Sequence, residues 1–358
     1  MFKSKFLKVI LLLPLTALLL SGCTIGFDTG AGDDAKNATD GGVYKSLNKG
    51  ANWEQKVLIQ SVIRPKNFAG INIISLALDP SDNKAIYAGS LDNGLFYSYD
   101  GADSWQAAAS LGKLRINSVA VDPADKCVIY VASDNKVFKS NDCGRAWAQV
   151  YFDNDLKVLI SSLVIDHSNS SNIFIGTSRG DIIKSSDKGG SWRVLDRFGR
   201  QIDKIVISPV NPKIIFAGTT AKGIFRSKDG GAKWENLSEK LKAFNNSNRF
   251  RDLIMLKLEK PTLFLATDYG LLKSTDNGDT WSSIELLTPE KEAKINAIAA
   301  SSLNGNEIYY VTETTFYRTS DGGKNWITKK LPTSRAGVKL LIDPKNAGIV
   351  YLAVKSLK

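Results

Sequence analysis

The side chains that most often do chemistry are scarce in this sequence of 358 residues. There is one histidine, His167, and there are three cysteines, Cys23, Cys127 and Cys143. One imidazole cannot build a multi-histidine metal site, and three thiols fall short of a four-thiolate zinc or iron–sulfur centre. No metal site and no cofactor is expected. Nucleophilic catalysis of the Ser-His or Cys-His kind would rest wholly on His167. Carboxylates remain, since glycoside hydrolysis needs two of them about 5–10 Å apart across a sugar. Candidate pairs are Asp153 with Asp155, Asp196 with Asp203, and Glu290 with Glu292. None stands in a catalytic motif, so each is read as solvated surface and no catalytic residue is assigned.

Tryptophan is the informative residue type. All seven tryptophans close the same eight-residue phrase. The phrase begins at Ser46, Ser98, Ser140, Ser185, Ser227, Ser274 and Thr319, and ends at Trp53, Trp105, Trp147, Trp192, Trp234, Trp281 and Trp326. Its third position is Asp100, Asp142, Asp187, Asp229, Asp276 or Asp321, with Asn48 in the first copy. Glycine holds the fifth position except at Ala102. The intervals between tryptophans are 52, 42, 45, 42, 47 and 45 residues, and a period in this range signals a propeller or a solenoid. The phrase S/T-x-D-x-G-x-x-W resembles the Asp box of bacterial neuraminidase-type repeats. Its logic is local. Ser and Asp side chains bond backbone N–H groups of a tight turn, Gly tolerates positive φ, and Trp supplies area between neighbouring sheets.

A common strand pattern precedes each box. In the fifth copy Lys204–Ser208 alternates, Pro209–Pro212 turns, Ile214–Gly218 is apolar, and Gly223–Ser227 leads into the box. Residues after Trp234 supply a fourth strand. In the third copy the counterparts are Ile116–Val121, Val128–Ala132 and Lys136–Ser140. Four antiparallel strands in about 45 residues make one propeller blade. The first box has only Gly42–Lys45 ahead of it, and the stretches Val338–Ile342 and Ile349–Val354 follow the last. The reading is an all-β, seven-bladed propeller over 41–358, closed by N- and C-terminal strands sharing one blade. No large open edge then remains.

In a meander of strands A to D, the A–B and C–D turns lie at one end, and the B–C turns and blade-to-blade connections at the other. The boxes are C–D turns, so their aspartates serve structure. His167 falls in an A–B turn at that same end. The connections carry the charge. Over 55–70, 106–116, 148–158, 193–204, 235–252, 282–294 and 327–339 there are twenty basic residues and ten acids. The cations assigned to a partner-binding loop face are Arg64, Lys66, Lys113, Arg115, Arg197, Arg200, Lys204, Arg249, Arg251, Lys329, Lys330 and Arg335. Phe68, Tyr151, Phe152, Phe198, Phe244 and Phe250 interleave with them, a mixture suited to protein contacts. Cys127 and Cys143 fall at one end of a single blade and are a candidate disulfide, with two free thiols as the alternative.

Residues 1–22 read as an address. Lys3, Lys5 and Lys8 precede an apolar run, Val9–Leu20, too short for a membrane span of about 20 residues. The run ends in Leu20-Ser21-Gly22-Cys23, which resembles a bacterial lipobox, and that resemblance implies a diacylated Cys23 as the mature N-terminus. Two acyl chains anchor stably where one is marginal. Residues 23–40 then form a tether with a reach on the order of 20–25 Å. Losing the leader's three lysines lowers the formal charge of +11 by three. The expected location is the bacterial envelope, lipid-anchored and outside the cytoplasm, which makes nucleic acid a poor partner despite the charge.

Asp-box propellers include sialidases, xyloglucan-type glycoside hydrolases and the ectodomain of sortilin. The Arg-Ile-Pro segment of sialidases is absent, with Arg64-Pro65 a faint echo, and xyloglucan hydrolases typically use two such propellers. The sequence over 41–358 more closely resembles the photosystem II stability/assembly-factor propellers, as in Ile215-Phe-Ala-Gly-Thr219 followed by Gly223-Ile-Phe-Arg-Ser-Lys-Asp-Gly-Gly231. That resemblance implies a single seven-bladed protein, often lipid-anchored, whose basic loop face binds nascent membrane protein. The function expected is a monomeric binding or assembly scaffold for an acidic, membrane-associated protein or peptide. A glycoside hydrolase or carbohydrate-binding propeller is the alternative.

Overall fold

Each box turns the chain for a local reason. In the fourth, the Ser185 hydroxyl donates to Asp187 Oδ1 at 2.8 Å and accepts the Gly189 N–H at 2.8 Å. Asp187 in turn accepts the Ser191 N–H at 2.9 Å and its hydroxyl at 2.6 Å. Lys188 and Gly189 take φ of +59° and +92°, so two successive residues occupy the left-handed region. Asn48 substitutes for the aspartate in the first box, its Oδ1 accepting the Asn52 N–H at 2.8 Å. Ala102 holds φ +72° at the position where the other six boxes have glycine.

A computed structural model describes residues 39–61, 66–289 and 292–357. The strands joined by these turns form seven four-stranded antiparallel sheets, the blades of a propeller. Blade 1 comprises Ile73–Leu78, Ile86–Ser90, Leu95–Ser98 and Gln106–Ala107, its strands A to D. Blades 2 to 6 follow over 118–152, 160–197, 202–236, 250–284 and 297–330. In blade 4 the first three strands are Ile202–Ile207, Ile215–Thr219 and Gly223–Ser227, close to the expected bounds. Blade 7 takes its inner strands Ala336–Asp343 and Asn346–Lys355 from one end of the chain and Gly42–Ser46 and Glu54–Gln55 from the other. Gly42 pairs with Val354 and Ser46 with Val350, so the ring closes by an antiparallel ladder.

The core lies between the sheets rather than in one centre. Seven apolar clusters each join residues of two adjacent blades. Each box tryptophan packs against the blade before its own; Trp234 of blade 4, for example, lies against a cluster containing Phe174 and Ile182 of blade 3. Six of the seven remain partly exposed, and Trp105 is fully buried. The cause is a hairpin, Leu58–Ile59 with Lys66–Asn67, inserted between blades 7 and 1. The Trp105 N–H donates to the Leu58 carbonyl at 2.8 Å, and the indole N–H to Lys56 at 3.0 Å. This hairpin accounts for the long first interval of 52 residues.

Neighbouring blades are also tied by polar contacts onto the fourth box residue. Tyr130 donates to the Lys188 carbonyl at 2.9 Å, Arg318 to that of Lys49 at 3.2 Å, and Tyr351 to that of Gly101 at 3.4 Å. Arg226, buried, makes the same contact to Asn277 and pairs with Asp279 at 2.7 Å. These donors satisfy carbonyls that would otherwise lie unpaired at the blade interface.

Candidate functional site at the loop face

The B–C turns and connections gather at the end of the propeller opposite the boxes. In blade 7, Gly42 and Lys355, the ends of its C and B strands, stand at this end where other blades have a B–C turn. The A strands line a central channel, and at the loop face it opens through a cavity of about 620 Å³. Asn72, Arg115, Asn117, Ser161, Gln201, Asp203, Lys339 and Lys355 contribute its polar lining. A second cavity of about 410 Å³ shares Asp203 and Lys339 and adds Lys204, Arg251 and Asp252. Five cations against two carboxylates line these walls, and a concave low-dielectric mouth concentrates that potential.

The predicted cations divide into distinct groups. Arg115, Lys204 and Arg251 line the channel mouth. Lys66, Lys113, Arg197, Arg200, Arg249, Lys329 and Lys330 are exposed on the surrounding connections. Arg64 and the lipidation residue Cys23 lie outside the described residues. Arg335 is buried and pairs with Asp40 at 3.3 Å, while also donating to Asn72 at 2.8 Å and Gly70 at 3.0 Å. It is a structural tie and not a cation offered to a partner, because each of its three guanidinium nitrogens meets an acceptor within the fold. Several other cations have partners: Lys204 with Asp252 at 2.7 Å, Arg251 with Asp268 at 2.6 Å, and Arg197 with Asp181 at 3.3 Å.

The aromatic reading needs a larger correction. Phe68 is buried, stacked on Phe96 and edge-on to Trp105. Phe198 is buried against Phe225 and Trp234, and Phe250 is buried as well. Tyr151 packs on Trp192, and Phe244 on Tyr269. Of the six, Phe152 alone is a large exposed surface. The connections fold inward and cap the blade interfaces with these rings, because an aromatic ring gains more by burial than by waiting in solvent.

Sequence reasoning missed Lys339 and Lys355 in the channel, and the acids of the B–C turns. Asp92, Asp134, Asp268 and Glu313 stand on the same face as the basic connections and offset part of their charge. The signal was present, since the same strand order that places the connections places these turns.

The candidate carboxylates that the structure describes stand in different settings. Asp153 is buried and paired with Arg179 at 2.9 Å, and Asp155 accepts the Lys157 N–H at 3.0 Å. Asp196 accepts the Arg197 N–H at 2.7 Å. Burial pushes the Asp203 carboxyl above the usual range, although Thr220 and Gln201 hydrogen bonds oppose this. Glu290 lies outside the described residues, and Glu292 is exposed. His167 is exposed in the turn after Asp166. Among the described residues no group of three or more His, Cys, Asp or Glu side chains suits a metal ion, and no helix is long and apolar enough to cross a membrane. Cys127 and Cys143 are joined as a disulfide, beside a Cys143 N–H to Cys127 carbonyl bond of 3.0 Å.

The architecture is a seven-bladed, all-β propeller whose polar loop face surrounds the channel mouth. Residues 202–357, blades 4 to 7, match the family model described as photosynthesis system II assembly factor YCF48, and the chain resembles that family. Among solved structures, YCF48 bound to D1 peptide is 18% identical, with a TM-score of 0.61 over 80% of this chain and 94% of that one. YCF48 from Cyanidioschyzon merolae is 14% identical, with a TM-score of 0.62 over 79% and 95%. A GH74 enzyme from Niastella koreensis is 17% identical, with a TM-score of 0.63 over 79% of this chain; this chain spans 51% of that enzyme's length. No curated protein sequence matches this chain.

Proposed function

We propose that this protein is a non-catalytic binding propeller of the assembly-factor type, which captures an acidic protein or peptide segment on its loop face. The observation that carries this reading is the cationic channel mouth, ringed by exposed cations, on the face left free once the boxes are committed to turns. Lys113, Arg200 and Lys330 are exposed there, and their side chains take no hydrogen bond or ion pair within the described residues. The family match over blades 4 to 7 and the peptide complex of YCF48 support a protein or peptide ligand. The protein acts as a monomer, anchored outside the cytoplasm through lipid on Cys23, with its partner at the same membrane.

The test is capture of the native partner from solubilised envelope. Charge reversal at Lys113, Arg200 and Lys330 lowers recovery at least tenfold, and added salt mimics the effect. Unchanged recovery overturns the face assignment. The GH74 likeness motivates a second reading, catalysis on a glycan. It predicts turnover on a glycoside panel that is lost in Asp203→Asn, since Asp203 is the channel carboxyl with a raised pKa.

A further inference from the structure

The channel changes character along its length. The second cavity shares Lys204 with a third, of about 310 Å³, whose walls include Val206, Met255, Ile298, Ala300, Leu340 and Ile342. Polar lining therefore ends, and apolar wall begins, at the level of Lys204 and Lys339. The two lysines differ in their partners. Lys204 is paired with Asp252, whose other oxygen accepts the Ile298 N–H at 3.0 Å. Asp203 accepts Gln201 and Thr220. The Lys339 ammonium has neither a hydrogen bond nor an ion pair among the described residues, although Lys339 lines both mouth cavities. Burial pulls its pKa below the ordinary lysine value, with Asp252 and Asp203 opposing. Lys339 is half-buried, and an ammonium group held this way is partly desolvated without a direct counter-charge, a state that an incoming anion relieves.

We infer that the channel binds an amphiphilic monoanion, a carboxylate on an unbranched aliphatic tail, with the carboxylate on Lys339 and the tail against the apolar walls. The wall chemistry favours such a ligand over a small hydrophilic anion. The unpaired ammonium favours it over a neutral lipid. Arg115 and Lys355 at the mouth attract the head group, and the tail supplies affinity by leaving water. This site shares the channel mouth with the peptide reading, whose test rests on the rim cations Lys113, Arg200 and Lys330, so failure of one reading is distinguishable from failure of the other.

Isothermal titration of the full chain with decanoate, below its micelle concentration, tests the inference against acetate and decanol. Decanoate saturates one site, acetate binds at least a hundredfold more weakly, and decanol at least tenfold more weakly. Lys339→Met loses at least tenfold in decanoate affinity, and Lys339→Arg retains it. Should Lys339→Met not fold, Lys339→Gln reads the same contact. Absent decanoate binding, acetate or decanol binding equal to decanoate, or unchanged affinity in the Met and Gln variants would each overturn the assignment.

Discussion

The Arg335 guanidinium lies 3.3 Å from the carboxylate of Asp40, two residues that are 295 positions apart in the chain. Thr333 and Ser334 hydroxyls also reach Asp40, at 2.9 and 2.8 Å, and the Ser334 N–H at 2.6 Å. Tyr44 donates to the Asp40 carbonyl at 2.8 Å. The residue that sequence reasoning left in the tether is thus part of the propeller. It fastens the chain's entry to the connection between blades 6 and 7, beside the strand ladder that closes the ring.

Removing that carboxylate leaves a buried guanidinium short of its counter-charge. Asp40→Ala is expected to destabilise the fold by about 1–3 kcal/mol, at the lower part of the range for buried pairs because Asp40 is partly exposed. Denaturant midpoints of wild type and variant measure it. A loss below about 0.5 kcal/mol would show that the tie contributes little.

Acid should loosen the same latch. Burial alone would raise the Asp40 pKa, but Ser334, Thr333 and Arg335 bring it down to about 2. In the fourth box, hydrogen bonds from the Ser191 hydroxyl and N–H, then Ser185, hold Asp187 at about 2, and Asp321 is likewise lowered. Groups with depressed folded-state pKa values bind protons more readily when unfolded, so their contribution is present above pH 4 and is lost towards pH 2. Melting temperature is therefore expected to be flat near pH 5 and to fall steeply below pH 4. Asp187→Asn should flatten part of that slope.

The fifth box position offers a contrast. At Ala102, relief of left-handed strain by glycine is offset by a lost buried methyl and a freer unfolded chain. Ala102→Gly should stay within about 1 kcal/mol of wild type. At Gly323, φ is +99° and an added Cβ would meet Ile284 Cγ2 at 2.3 Å. Gly323→Ala should lose about 2–4 kcal/mol. Equal effects at the two sites, read by chemical denaturation, would refute this account.

Cys127 and Cys143 enclose a short loop, with a sequence separation of 16 residues. Reduction of that bond should lower stability by about 3 kcal/mol on the chain-entropy estimate. Paired melts with and without reductant, alongside Cys127→Ser, measure it. An unchanged midpoint in both would indicate that the backbone bond between the two turns already supplies the constraint.

The blades were legible because each box is a local device: a hydroxyl, a carboxylate and a glycine within five residues set one turn, whatever surrounds it. Closure was legible too, since strands missing at one end reappear at the other. The face was harder to read. Strand order tells which end a connection occupies but not whether its side chains turn outward. Arg335 and Phe198 share a polar, exposed-looking context in sequence, yet both are buried. Lys339 is hidden for the opposite reason. It sits in a strand among apolar neighbours, and a register shift between Gly337 and Lys339 alters its alternation before it reaches the channel.

The shared blade also governs when the protein can finish folding. Gly42–Ser46 is made first, but its ladder partner lies within Asn346–Lys355 near the other end of the chain. Blades 1 to 6 hold strands close in sequence and can assemble as they emerge, whereas the seventh waits for almost the whole polypeptide. A chain truncated anywhere before the last strand leaves Gly42–Ser46 without its ladder partner and uncovers the apolar faces of blades 1 and 6 that pack on blade 7. Ring closure therefore acts as a checkpoint at the level of folding itself, passed only when both strand pairs of the shared blade are present.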